Sequence, residues 1–191
     1  MDLLRKKLIE EVGLTNSHYD ELSQFITKVE LRKKDILIKS GQRCDFIGFV
    51  ESGVLRSFIT QAGEEFNLDF YFPNCFVSVY SSFLTRVPSH GSIQALDDTT
   101  LYVISRTDYY TLLNDSKDWY KLGKFIADSL FIKKCRREVS FLMDNATKRY
   151  ELLISTYPKI EQLVAQYHIA SYLGIKPESL SRIKSLTYIN E

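Results

Sequence analysis

The chain of 191 residues is 45% hydrophobic with a mean hydropathy of −0.16, a globular composition with material for two compact units. No apolar run nears the roughly 18 residues of a membrane span, and the opening MDLLRKKLIEEVG reads as an amphipathic helix and not a signal peptide, so a cytoplasmic protein with no membrane partner is expected. The net charge of +1 hides an imbalance of −4 over residues 1–120 against +5 over residues 121–191, which places attraction for phosphate in the C-terminal part.

From about Lys34 to Ile104, β-branched and aromatic residues are broken at short intervals by turn signals. Phe46–Val50, the turn ESG and Val54–Ile59 predict a hairpin, with Gly53 at the positive-φ position. Phe66, Leu68, Phe70 and Phe72 alternate with Asn67, Asp69 and Tyr71, the period-2 mark of a half-buried strand. Ile93–Leu96 and Leu101–Ile104 flank the turn DDTT. Short strands without long helices between them imply an antiparallel barrel or jelly roll, a fold able to enclose a small ligand. Cys44, Cys75 and Cys135 share no short spacing, which argues against a disulfide framework, a zinc site and an iron–sulfur cluster. His90 is the one histidine in the barrel region, too few for a cupin-type enzyme and, in a loop, more simply a solvated residue than a haem ligand. No nucleophilic triad, phosphate loop or paired carboxylates stand out, so neither catalysis, metal nor cofactor is expected.

The stretch Asp118–Met143 lacks proline and predicts a long helix. Phe125, Ile132 and Val139 recur every seven residues, with Leu122, Ser129, Arg136 and Met143 as the companion series, the pattern of a two-stranded seam. A homodimer follows, unless the seam packs on its own barrel. Lys133, Lys134, Arg136 and Arg137 add charge, which a solvated helix face would equally explain. Lys148–Thr156 predicts a further helix, ended near Tyr157 by Pro158.

The run HIASYLGIKPESLSRIKSL, from His168 to Leu186, carries the most information. Two short helices crossing steeply leave room for a methyl group, supplied by Ala170, and Gly174 suits the left-handed turn between them. Ile169, Leu173, Ile175, Leu180 and Ile183 close one small core. Pro177 starts the second helix, and Lys176 stands at its N-cap, where it forgoes a side-chain cap but could reach a phosphate. Glu178, Ser179, Ser181, Arg182 and Lys184 remain for the outward face. An arginine bonds guanine O6 and N7 and a glutamate accepts from cytosine N4, so Glu178 and Arg182, four apart and able to support each other, suit double-stranded DNA with a G·C-containing half-site. The serines suit phosphate or base contacts, Lys184 a phosphate, and His168 either a phosphate or a helix cap. A plain helical hairpin with a charged surface is the bland alternative.

Barrel, long helix and terminal helix-turn-helix in this order resemble the Crp/Fnr superfamily of bacterial transcription regulators over nearly the whole chain. The blocks GQRCDFIGFVESGVLRSFI, from Gly41 to Ile59, and HIASYLGIKPESLSR carry the resemblance. It implies an α+β protein: a jelly-roll sensor over 1–117, a dimerisation helix over 118–143 and a helix-turn-helix over 144–191. It further implies a homodimer on a two-fold symmetric operator, RNA polymerase as another partner, and Glu178, Ser179 and Arg182 as base readers. Members that bind cyclic nucleotides hold the cyclic phosphate with a Gly-Glu pair and a later Arg followed by a small hydroxyl residue. Here FPNCFVSVYSSFLTRVPSHGSIQAL has no Gly-Glu pair, Ser89 and His90 fall where Arg and its neighbour belong, and Arg86 comes three residues early. Lys133, Lys134 and Cys135 fall near the places of the family's nucleotide-contacting hydroxyls. The sensor is therefore expected not to answer to cyclic AMP. Its pocket is either filled by its own Phe76, Tyr80 and Phe83 or admits a less anionic, unidentified small-molecule effector. A signalling protein whose C-terminal part contacts protein instead of DNA is the alternative function.

Overall fold

The structure is a computed structural model that describes residues 1–189, with side chains to Leu186. Its strands are β1 (Ile26–Leu31), β2 (Ile36–Ile38), β3 (Phe46–Ser52), β4 (Leu55–Gln61), β5 (Glu64–Tyr71), β6 (Phe76–Val77), β7 (Ser92–Ala95) and β8 (Thr99–Ser105). They form two four-stranded sheets in the orders β1-β8-β3-β6 and β2-β7-β4-β5, a jelly roll. In the first sheet Phe49 lies opposite Tyr102 and Phe76, and Ile47 opposite Ile104, so these five side chains leave one face of the sheet. Gly48, Val50, Val77 and Leu101 leave the other, toward the roll.

The expected hairpin from Phe46 to Ile59 is not one. β3 and β4 belong to different sheets, and Ser52–Gly53–Val54 is a corner that carries the chain from one to the other. The local signal was sound, since Gly53 has φ +86° and a Cβ there would collide with the Asp98 carbonyl and Thr99. A turn signal fixes where the chain reverses but not which sheet receives it.

Helices cover the outer face of the first sheet: α1 (Asp2–Lys6), a π turn (Lys7–Glu11), α2 (Asn16–Ser23), α4 (Arg106–Asp115) and the first turns of α5 (Trp119–Met143). Leu4, Leu22, Tyr109, Leu122 and Ile126 meet Ile47, Phe49 and Phe76 there around an apolar cavity of about 20 Å³, room for one water molecule at most. Full burial of large side chains such as Phe49 and Phe83, at about 1.5–3 kcal/mol each, drives this assembly. α3 (Tyr80–Thr85) lies between β6 and β7.

The chain divides into two compact units, one of residues 1–57 with 70–131, the other of residues 58–69 with the chain from Ile132 onward. The tip of the β4–β5 hairpin therefore groups with the C-terminal helices, although it lies inside the barrel segment by sequence. Those helices are α6 (Ala146–Thr156), α7 (Ile160–Leu163), α8 (Gln166–Leu173) and α9 (Pro177–Ile189). α6 starts two residues before the expected Lys148 because the Asn145 side chain accepts the Lys148 N–H at 3.0 Å, a regular N-cap. Among the described residues, no helix is long and apolar enough to cross a membrane.

Candidate nucleic-acid interface and sensor segment

α8 and α9 form the expected helix-turn-helix. Gly174 adopts φ +68°, its N–H donating to Ser171 O at 3.1 Å, while Ile175 N–H donates to Ala170 O at 3.0 Å, the paired bonds of a Schellman stop. A Cβ at Gly174 would come within 2.9 Å of the Phe141 ring, so both backbone and packing require glycine. Ile169, Ala170, Leu173, Leu180 and Ile183 are buried, and Ile175 half so. Ser179 and Leu180 donate to the Lys176 carbonyl at 3.0 and 3.2 Å, which puts exposed Lys176 at the N-cap as expected.

Glu178, Ser181 and Arg182 are exposed and Ser179 half-exposed. Among the described residues Glu178 and Arg182 make no ion pair with each other, contrary to the mutual support expected of them, and both remain open to a ligand. Two further expectations are corrected. Lys184 is held by Glu161 at 2.6 Å, so its ammonium is committed inside the fold. His168 neither caps the helix nor reaches the surface: it is buried, and the Asn67 amide nitrogen lies 3.3 Å from both its Nδ1 and its carbonyl.

Asn67 is the residue that sequence reasoning missed. β5 is half-buried, but its burial does not follow the expected alternation: near its start Phe66 and Leu68 are exposed while Asn67 is only 2% exposed, and farther on Phe70 and Tyr71 are both buried. Its backbone N–H donates to Ser171 Oγ at 3.0 Å, and Ser171 Oγ donates to the Glu65 carbonyl at 3.0 Å. Arg137, from the second half of α5, donates to the carbonyls of Asn67 and Tyr172 at 3.3 Å each and lies over the rings of Phe141 and Tyr172. Arg149 donates to the Leu173 carbonyl at 3.2 Å, so two guanidiniums meet the C-terminal carbonyls of α8, where the helix dipole favours cations. Burial pushes the Tyr172 phenol above its ordinary range.

The β6–α3–β7 segment spends its polar groups internally. Ser78 Oγ donates to Phe46 O at 3.0 Å, and Ser82 Oγ accepts the Cys44 N–H at 3.0 Å and donates to Val87 O at 2.6 Å. Buried Ser89 donates its N–H to Gln42 O at 2.8 Å and its hydroxyl to Gly91 O at 2.6 Å, and its carbonyl accepts from Gly41. Arg86, left-handed at φ +65° as the C-cap of α3, pairs with Asp45. His90 is exposed. The six residues expected around an effector do not converge. Phe83 is buried outside the roll, stacked 6.1 Å from Tyr110 and 6.0 Å from Tyr80 and edge-on to Tyr109, with Arg106 donating to its carbonyl at 3.0 Å. Phe76 points to the helix-covered face, 5.3 Å from Phe49 and 6.3 Å from Phe125. Alternation within β6 decides this, sending Val77 to the roll and Phe76 away from it.

The expected seam on α5 is also revised. Leu122 is buried in the sensor core and Phe125 is half-buried against Phe76, because the first turns of the helix pack on the sheet. Farther along, Phe131, Ile132, Val139, Leu142 and Met143 are exposed. With half-exposed Cys135 they fall in an arc of about 120° at 3.6 residues per turn, opposite half-buried Arg137. Of the residues expected in the seam, Ile132, Val139 and Met143 are exposed within this arc. The companions in that arc are Cys135 and Leu142, while Ser129 and Arg136 lie at its flank.

Residues 28–116 match the cyclic nucleotide-binding domain family. FixK2 of Bradyrhizobium japonicum shares the fold with a TM-score of 0.74 at 14% identity, over 86% of this chain and 85% of that one. The c-di-GMP responsive global regulator CLP of Xanthomonas campestris follows at 0.72 and 14%, over 92% and 93%. A Crp/Fnr-family regulator of Eubacterium rectale gives 0.70 at 18%, over 93% and 85%. The chain has the Crp/Fnr fold. No curated protein sequence matches it. The resemblance seen in two sequence blocks is thus upheld for the whole architecture, and the match over 28–116 includes the segment from Phe76 to Ala95 just described.

Within this Crp/Fnr fold the departures from the cyclic-phosphate pattern gain a physical meaning. A phosphate needs a free guanidinium and free N–H groups. Here the Arg86 guanidinium is paired with Asp45, that of buried Arg56 donates to Gln94 Oε1 at 2.7 and 3.0 Å, and the N–H groups of Gly41, Cys44 and Ser89 already have partners. Among the described residues no group of three or more His, Cys, Asp or Glu side chains is placed to hold a metal ion.

Proposed function

We propose that the protein is a homodimeric, sequence-specific DNA-binding transcription regulator whose sensor does not answer to cyclic AMP. The observation that carries the reading is α9: a helix stopped into place by Gly174, anchored by Leu180 and Ile183, that leaves Glu178, Ser181 and Arg182 exposed. Carboxylate, hydroxyl and guanidinium at one-turn spacing on one face match the donors and acceptors of the major groove. Lys176, beside the helix start, supplies a phosphate contact, and Ser179 the hydroxyl next to the reading glutamate.

Dimerisation supplies the second half-site. The exposed arc of α5 is a long apolar strip of the kind that marks association surfaces, and a second copy of the same helix is its natural complement. Two readers about one turn of DNA apart, roughly 34 Å, then read a two-fold symmetric site. Selection of bound duplexes from a random pool, with and without cell extract, tests the reading. Palindromic sites with a G·C pair in each half are the expected result. Recovery of no preferred sequence would sink it in favour of a C-terminal part that contacts protein.

A further inference from the structure

We infer that the tip of the β4–β5 hairpin is a latch that positions the DNA reader, with Asn67 as its central residue, and this rests on the DNA-binding reading above. A buried asparagine costs free energy unless its amide is bonded, so its presence at a strand tip flanked by exposed Phe66 and Leu68 reflects a specific partner. That partner is α8, touched at two places one turn apart: His168, near its start, and Ser171. Arg137 then closes the arrangement by donating to Asn67 O and to Tyr172 O, so hairpin, α5 and α8 meet at one residue. Lys133 pairs with Asp69 at 2.7 Å, a second tie between α5 and the same strand.

The geometry gives the latch a consequence for affinity. α8 hands its orientation to α9 through the rigid Gly174 turn, so whatever fixes α8 against α5 also fixes where Glu178 and Arg182 point relative to the apolar arc of α5. A dimer gains from two readers only when both are held at the spacing of the operator halves. Asn67 and His168 are too deeply buried to meet DNA themselves, which makes them positioning residues.

The test uses the full chain carrying Asn67→Leu or, separately, Ser171→Ala, which removes one anchor while leaving α8 a better helix former. Binding to the selected operator is followed by fluorescence anisotropy at several salt concentrations, and amide exchange is followed by mass spectrometry. Both variants are expected to stay dimeric, to bind about tenfold more weakly, and to keep the base preference and salt slope of the parent. Exchange should quicken over residues 64–70 and 168–175. Unchanged affinity despite faster exchange would overturn the inference, because the reader would then need no latch. Tighter binding would overturn it by showing a contact that holds the reader off DNA, and a flatter salt slope by showing lost phosphate contacts. Absence of binding by the unaltered chain is a separate outcome that removes the DNA reading and the latch with it.

Discussion

α9 and the β6–β7 segment contain the same kinds of side chain and treat them in opposite ways. On α9, Ser181 and Arg182 are exposed, and Arg182 makes no ion pair among the described residues. Between β6 and β7, Ser78, Ser82, Ser89 and Arg86 are each bonded to a neighbour in the fold. A polar group already satisfied gains little by turning to a ligand, whereas an exposed one exchanges water for the ligand at little cost. The first is chemically open and the second is closed.

The largest break of this comparison comes from the seam. Ile132→Glu is expected to yield monomers and to weaken operator binding by about a hundredfold or more, since half of a bivalent contact is lost. Light scattering and anisotropy check it. Leu122→Glu should unfold the sensor instead, because that side chain is buried in the core. Mild oxidation should also join two copies through Cys135, which faces its own copy if the helices pair in parallel. A dimer that oxidation leaves unlinked would shift the seam.

Next in size, Arg182→Ala should cost about 1–3 kcal/mol and relax preference at one G·C pair per half-site, measured over a panel of operator variants. Uniform weakening would assign the arginine to phosphate. Gly174→Ala should destabilise the C-terminal helices by about 1 kcal/mol or more through its left-handed backbone, and further through the Phe141 contact, read by thermal melting. The smallest effect sharpens the closed segment: calorimetric titration with cyclic AMP should give no heat of binding and no change in operator affinity. Micromolar affinity would mean that Arg86 leaves Asp45 for the phosphate.

What the sequence disclosed follows the range of the interactions involved. Ala170, Gly174, Pro177 and the aliphatic spacing of α8 and α9 are local requirements, and each stands where the spacing put it. The long helix is equally readable, but which of its faces is free depends on a sheet far away in the chain, so heptad spacing selects Leu122, which is buried, and passes over Cys135 and Leu142, which are not. The corner at Gly53 looked like a hairpin for the same reason. Phe76, Tyr80 and Phe83 are close in sequence, which suggests one pocket, yet β6 and α3 aim them at the helices outside the roll. Nothing local marks Asn67, a polar residue at an ordinary alternating position, as buried. Its partner lies 101 residues on.

The pairing of residues 58–69 with the chain from Ile132 bears on how this fold exchanges its parts. A chimera that joined the chain from Ile132 onward to a foreign barrel would leave the hairpin tip behind. His168 and Ser171 would lose Asn67, the Arg137 guanidinium would lose one of its two carbonyls, and Lys133 would lose Asp69. If the proposed latch holds, the transplanted helices would keep their side chains and lose their anchor, so an exchange that preserves these contacts has to carry a dozen residues from the middle of the barrel along with it.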